Sequence, residues 1–130
     1  IQKVYSLWDI YSHADIITYP SLLEGWGNQF LEGLVARVPM VVYRYPVYDL
    51  DLANFDFDII DLGNTHVVTD HGLAEIPEAQ LEQAVDQTIS YLFDSDKRRA
   101  SVARNHQIGQ ENLSYLILKK TLADILESRG

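Results

Sequence analysis

The chain has 130 residues and no cysteine, 47% of its residues are hydrophobic, and its formal net charge is −9. This length fits one domain with a real hydrophobic core, and the lack of cysteine excludes a disulfide scaffold or a thiolate zinc site and favours a reducing, cytoplasmic setting. The acidic balance argues against DNA or RNA as a partner, because proteins usually bind nucleic-acid phosphates with a basic stripe. No apolar run reaches the roughly 18 residues of a membrane-spanning helix.

The first part of the chain predicts alternating helices and strands. An apolar stripe predicts a helix over residues 4–14, and it is already under way near Ile1, so we expect a piece of a longer protein. The β-rich runs Ile16–Tyr19 and Met40–Tyr43 are each expected to form a buried strand. Between them we expect a helix with Asn28 as its N-cap.

The second part begins with strands and ends with helices. Phe57–Ile60 and His66–Thr69 are two more β-rich runs, and Pro77 stands near the start of an apolar helical stripe. We expect Asp94 to help cap a basic helix. The three expected helices cover residues 78–93, 97–106 and 114–126. The order of elements predicts an α/β fold, with a parallel sheet flanked by helices and a helical C-terminal tail.

The turn from Glu24 to Gly27 follows a predicted strand and precedes a predicted helix. Parallel α/β sheets bind ligands at such turns, where glycines let an anion approach the free N–H groups of a helix N-terminus. These donors would hold an anion without basic side chains, despite the acidic chain. Glu32, about one turn into the helix, can accept hydrogen bonds from vicinal hydroxyls such as those of a ribose. Together these features describe a nucleotide-sugar site, although each alone also fits a turn that only packs a helix on a sheet.

The wider stretch HADIITYPSLLEGWGNQFLEGLVARVPMVVY resembles the donor-side signature of the retaining group 1 (family four) glycosyltransferases of the GT-B fold. The resemblance is specific from Ala14 to Val42 and looser over most of the remaining chain. The matching segments, in order and spacing, are Ala14-Asp15, Pro20-Ser21, Glu24-Gly25-Trp26-Gly27, Glu32 and Pro39-Met40-Val41-Val42.

The resemblance implies that residues 1–130 are a single partial domain, the Rossmann-like, donor-binding C-terminal half of a GT-B fold. It implies transfer of a sugar from a nucleotide-diphosphate sugar to an acceptor hydroxyl with retention of configuration, and without a cofactor or bound metal. Glu24 would be the catalytic carboxylate, contacting hydroxyls of the donor sugar near the reacting centre. The residues implied to bind the donor are Gly25, Trp26, Gly27, Asn28 and Glu32.

Some features depart from the family pattern. Arg37 stands where a glycine usually ends the helix, and Gly33 stands where an alanine usually follows the second glutamate. The basic residues that grip the diphosphate, the base-binding segment and the N-terminal acceptor domain would all precede Ile1, so we expect the isolated fragment to be inactive. The segment YRYPVYDLD replaces the usual Gly-Gly and acidic pattern and suggests a subgroup with a small or sugar-glycerate-like acceptor.

Two other functions stay open. One is a nucleotide-sugar epimerase of the GT-B fold, although its usual acid and base residues are not evident. The other is a non-catalytic α/β interaction domain, in which Glu24 and Glu32 are merely exposed. Tyr43, Tyr45 and Tyr48 fit a sugar-stacking surface as well as a core or domain interface.

The expected partners of a glycosyltransferase follow from the same resemblance. They are a nucleotide-sugar donor, an acceptor that the sequence does not identify, and the N-terminal domain of the same full-length chain, with neither nucleic acid nor a transmembrane segment. The expected location is the cytoplasm, and membrane association through the missing domain is left open.

His66 and His71 are set aside as metal ligands because no third ligand accompanies them.

Overall fold

The computed structural model describes residues 6–128 and has the predicted α/β architecture. The central sheet contains three parallel strands in the order β1 (Ile17–Tyr19), β2 (Met40–Val42) and β3 (Ile60–Asp61). A separate antiparallel hairpin contains β4 (Val67–Val68) and β5 (Ala74–Glu75). The helices are α1 (Leu7–Tyr11), α2 (Asn28–Ala36), α3 (Glu78–Phe93), α4 (Ser95–Leu113) and α5 (Tyr115–Glu127), and a π-helical turn (Tyr48–Leu52) and a 3-10 turn (Ala53–Phe55) connect β2 to β3.

Side-chain alternation along β2 divides the core into two layers. Met40 and Val42 point to the face covered by α2, where they pack with Phe30. Val41 packs on the opposite face with residues of α3 and of the segment around β3. Alternate residues of β2 face opposite layers, and both layers are buried. Every residue of the run is therefore apolar.

Several boundaries differ from the sequence prediction. The first helix is shorter than the predicted range, and residues 4 and 5 of that range lie outside the described residues. The basic helix is longer, because α4 runs on to Leu113. Its predicted cap is confirmed, since the Asp94 side chain accepts hydrogen bonds from the backbone N–H groups of Asp96 and Lys97.

The prediction of Asn28 as the N-cap of α2 is wrong. Gly27 is the N-cap, with φ 78° and ψ 47°, and Asn28 is the first helical residue. The Gly27 carbonyl accepts from the N–H of Phe30 at 2.9 Å and of Leu31 at 3.4 Å. Only glycine reaches this left-handed conformation without strain, so backbone conformation, not a capping side chain, starts the helix.

The run His66–Thr69 does not extend the parallel sheet. Its central residues form β4, and Val67 and Val68 are 67% and 64% exposed, so this is not a buried strand. The N–H of Thr69 donates to Leu73 O at 2.8 Å, and Gly72, at φ 76°, lies in the turn between the two strands. The β-branched residues therefore form an exposed hairpin outside the core.

Gly33 lets α2 lie close to the sheet. A Cβ at this position would overlap Met40 Sδ and would lie 3.4 Å from Ile17 Cδ1. Gly33 therefore goes together with the long Met40 side chain on β2.

Arg37 ends α2 in the left-handed conformation, with φ 56° and ψ 46°. Because a Cβ makes this conformation unfavourable, Arg37→Gly is expected to raise the free energy of unfolding by about 1 kcal/mol. Urea unfolding measures this change. Arg37→Ala is the control, since it removes the guanidinium but keeps the Cβ, and we expect no gain from it. Equal stabilisation by both substitutions would show that the charge, not the backbone, is responsible.

Candidate functional site

The turn that leads from β1 into α2 lies at the carboxyl end of the first parallel strand. The structure therefore puts Glu24, Gly25, Trp26 and Gly27 between strand and helix, in the position from which the sequence predicted a ligand site. Gly27 is buried, whereas Gly25 and Trp26 are exposed. The turn thus has a fixed end at the helix and an open end toward solvent.

Glu24 is half-buried and lies among hydroxyl groups. The Ser21 hydroxyl donates a hydrogen bond of 2.6 Å to Glu24 Oε1. Burial, followed by a hydrogen bond to Glu24 and the negative charge of that carboxylate, raises the pKa of the Tyr19 hydroxyl well above its usual value. Tyr19 therefore keeps its proton at neutral pH and remains a donor beside the carboxylate.

Gly25 has open space where a side chain would be. A Cβ at this position would meet nothing within 4 Å, so the fold itself does not require a glycine here. The Trp26 side chain is 53% exposed beside it. An exposed indole and a bare backbone are suited to the close approach of a ligand.

The N-terminus of α2 presents backbone donors without a competing carboxylate. The first turn contains no acidic residue. The N–H groups of Asn28 and Gln29, like the first amides of any helix, have no intrahelical acceptor, and they lie at the positive end of the helix dipole. This end of the helix can hold an anion even though the chain is acidic overall.

Glu32 lies four residues beyond Asn28 on α2, a rise of about 6 Å along the helix axis. The Tyr11 hydroxyl of α1 donates a hydrogen bond of 2.7 Å to Glu32 Oε2. Burial, followed by this hydrogen bond and the charge of Glu32, raises the pKa of Tyr11. Glu32 is therefore a half-buried, oriented acceptor, and its contact with Tyr11 was not anticipated from the sequence.

A groove of about 360 Å³ opens next to the turn and combines apolar and polar walls. Within it the Tyr43 hydroxyl lies 2.7 Å from His66 Nδ1, and the Arg44 guanidinium pairs with Asp49 at 3.0 Å and Asp61 at 3.2 Å. Sequence reasoning missed this groove. Its only signal was the aromatic connection after β2. The groove is lined by Leu22, Leu23, Tyr43, Arg44, Pro46, Asp49, Asn64 and His66.

The three tyrosines of that connection are core residues. Tyr43, Tyr45 and Tyr48 are 3%, 0% and 3% exposed, and Tyr45 and Tyr48 pack edge to face at a centroid distance of 6.0 Å. Tyr43 also lines the groove. The sequence left open a sugar-stacking surface and a core or domain interface for these residues. Tyr45 and Tyr48 belong to the core.

Residues 6–128 contain neither a candidate metal site nor a candidate membrane-spanning helix. No three His, Asp or Glu side chains in this range are grouped closely enough to hold a metal ion. No helix in the same range combines the length and apolar character needed to cross a bilayer.

The chain is similar to two curated proteins, both named mannosylglucosylglycerate synthase. The protein from Petrotoga mobilis is 40% identical over 93 residues, which are 72% of this chain and 21% of that relative. The protein from Thermotoga maritima is 36% identical over 127 residues, 97% of this chain and 29% of that relative. The chain therefore spans less than a third of the curated relatives it matches. No family model and no solved structure matches it.

This similarity is not confined to the motif region. The match to the Thermotoga maritima protein covers nearly the whole of the present chain.

Proposed function

We propose that this chain is the donor-binding half of a retaining group 1 glycosyltransferase of the GT-B fold. The protein transfers a sugar from a nucleotide-diphosphate sugar to an acceptor hydroxyl. The observation that carries the proposal is the turn Glu24–Gly27, which stands at the carboxyl end of β1 and leads directly into α2, with Glu32 one turn further on. The similarity to two synthases of a sugar-containing product supports it.

Each part of the donor has a matching group in the proposed site. The diphosphate and sugar lie against the backbone amides of Gly25–Asn28, and Trp26 borders them. Glu32 accepts hydrogen bonds from the ribose hydroxyls, with Tyr11 holding one of its carboxylate oxygens in place. Glu24 contacts the hydroxyls of the transferred sugar near the reacting carbon.

In this proposal the protein contributes positioning and electrostatic stabilisation of the departing diphosphate. The amide donors of α2 contribute without adding positive charge to an acidic chain. The basic residues that complete the grip on the diphosphate, and the acceptor domain, belong to the N-terminal part of the full-length protein. The isolated chain is accordingly proposed to be inactive, and its cytoplasmic location stays a prediction.

The name shared by the relatives refines the choice of substrates. We propose a mannosyl nucleotide as the donor and a glucosylated glycerate as the acceptor, in line with the product named for both proteins. The aromatic connection after β2 distinguishes this chain from the common family pattern and borders the groove beside the turn. This connection is where a subgroup-specific contact would arise.

A panel of nucleotide sugars tests the proposal on the full-length protein, with transfer and hydrolysis measured for each donor. One donor is expected to be consumed, and Glu32→Ala is expected to raise its KM roughly 10-fold or more, because a hydrogen bond to a charged group contributes about 1.5–3 kcal/mol. Glu82→Ala is the matched control, since Glu82 is an exposed carboxylate on α3.

The outcomes separate the three candidate functions. A new glycoside with retained configuration supports the transferase. Interconversion of the nucleotide sugar without transfer would instead indicate the epimerase. If no nucleotide sugar binds, the interaction domain becomes the better explanation and the two glutamates are ordinary surface residues.

A further inference from the structure

The Tyr45 hydroxyl is a buried polar group without a partner. The side chain is 0% exposed, and its oxygen has no hydrogen-bond partner among the described residues. Buried hydroxyls are nearly always hydrogen-bonded, because leaving one unpaired costs free energy. Such an exception in a close-packed core calls for a specific reason.

This hydroxyl lies directly beneath the motif turn. A Cβ added to Gly27 would overlap the Tyr45 oxygen and would lie 3.0 Å from Tyr45 Cζ. Tyr19, the last residue of β1, packs edge to face on the same ring at a centroid distance of 5.8 Å. The oxygen therefore sits under the N-cap of α2, at the point where the turn joins the helix.

The charge of Glu24 also acts on this hydroxyl. Burial, and secondly the negative charge of the Glu24 carboxylate, raises the pKa of Tyr45 to about 12. Tyr45 is therefore protonated at neutral pH. An unused hydrogen-bond donor thus lies against Gly27, three residues after a carboxylate that accepts from Ser21 in this structure.

We propose that Tyr45 is a positioning residue for Glu24, and that its hydroxyl donates a hydrogen bond to the Glu24 carboxylate when the donor substrate occupies the turn. This inference rests on the proposed function. The open end of the turn has room for the required shift, since Gly25 touches nothing at its Cβ position and the Leu23 side chain is 81% exposed.

The new bond adds a second hydroxyl from the core to the surroundings of Glu24, besides that of Tyr19. Ser21 lies in the same turn, three residues before Glu24, so its hydrogen bond does not connect the carboxylate to another element of the fold. Tyr45 is held by its aromatic neighbours on both sides, Tyr19 and Tyr48. In the ligand-bound state, a carboxylate bonded to a rigid group is held in one orientation toward the sugar hydroxyls.

Tyr45→Phe tests the inference in the full-length protein, because it removes the hydroxyl and keeps the ring. Without ligand, the melting temperature is expected to rise by a few degrees, since an unpaired buried group is lost. The KM for the nucleotide sugar is expected to rise about 10-fold, the usual effect of one hydrogen bond to a charged group. Tyr48→Phe is the control, because Tyr48 is buried in the same cluster and the three atoms nearest a Gly27 Cβ all belong to Tyr45.

A lower melting temperature for Tyr45→Phe without ligand would overturn the inference, because the hydroxyl would then already have a partner. So would a donor KM that is unchanged from wild type, or one that rises equally in Tyr48→Phe. These failures differ from failure of the proposed function itself. If the wild-type protein neither binds nor consumes any nucleotide sugar, the proposed function and the inference fall together.

Discussion

Replacement of Gly27 by alanine is expected to lower the free energy of unfolding by about 2–5 kcal/mol. A residue with a Cβ in the left-handed conformation costs roughly 1–2 kcal/mol, and forcing an extra methyl group into a packed core costs about 1–3 kcal/mol more. Both apply here, because Gly27 has φ 78° and its Cβ would overlap the Tyr45 hydroxyl. Urea unfolding monitored by circular dichroism measures the loss.

Gly25→Ala is the matched control for this substitution in the same turn. Its Cβ would enter open space, and its backbone is not among those with positive φ, so stability is expected to stay within about 0.5 kcal/mol of wild type. The double variant Gly27→Ala/Tyr45→Phe is expected to recover part of the loss, because the overlapping oxygen is removed. A Gly27→Ala protein as stable as wild type would show that the turn tolerates another backbone conformation.

Glu24→Gln is expected to reduce kcat/KM for sugar transfer by roughly 10- to 100-fold. Hydrogen bonds to a charged group contribute about 1.5–3 kcal/mol, and the substitution removes the charge while it keeps the size of the side chain. The amide oxygen can still accept from the Ser21 hydroxyl, so the fold is expected to be unaffected. Initial rates at varied donor concentration measure the effect in the full-length protein.

The control for Glu24→Gln is the same change at Glu82, an exposed residue of α3 for which no loss is expected. A melting temperature close to that of wild type would show that any loss of activity comes from the site and not from unfolding. Full activity of Glu24→Gln would contradict the proposed role of this carboxylate, whatever the donor.

The regular elements near the turn were predictable because each has a local signal. Ile17–Tyr19 and Met40–Val42 are short runs of β-branched and apolar residues, and α2 and α3 carry apolar stripes of helical period. The alternation of these elements also predicted the parallel sheet. The position of the turn at the end of β1 followed directly from that order.

The two differences from the prediction have different causes. The side chain of Asn28 is of a type that often caps a helix, but the backbone conformation of Gly27 determines where α2 begins. The run His66–Thr69 contains a strand as predicted, but its partner in the structure is Ala74–Glu75 and not the central sheet. Composition indicates that a segment is extended without specifying its neighbour.

The parts of the candidate site that were missed depend on residues far apart in the sequence. The Tyr11 hydroxyl reaches Glu32 across 21 positions, and Tyr45 lies under a glycine 18 positions before it. Neither contact leaves a pattern in a single sequence. The sequence therefore predicted which residues form the turn but not the hydroxyl groups that surround it.

The amides at the start of α2 have a consequence for how this site can be mapped by mutagenesis. A backbone N–H group is present whatever side chain the residue carries, so alanine scanning through Asn28 and Gln29 leaves these donors in place. For the same reason, the residue types found at these positions give no information on the N–H donors. Loss of the proposed anion grip would be seen only when the path of the main chain changes, and in this turn that path depends on Gly27.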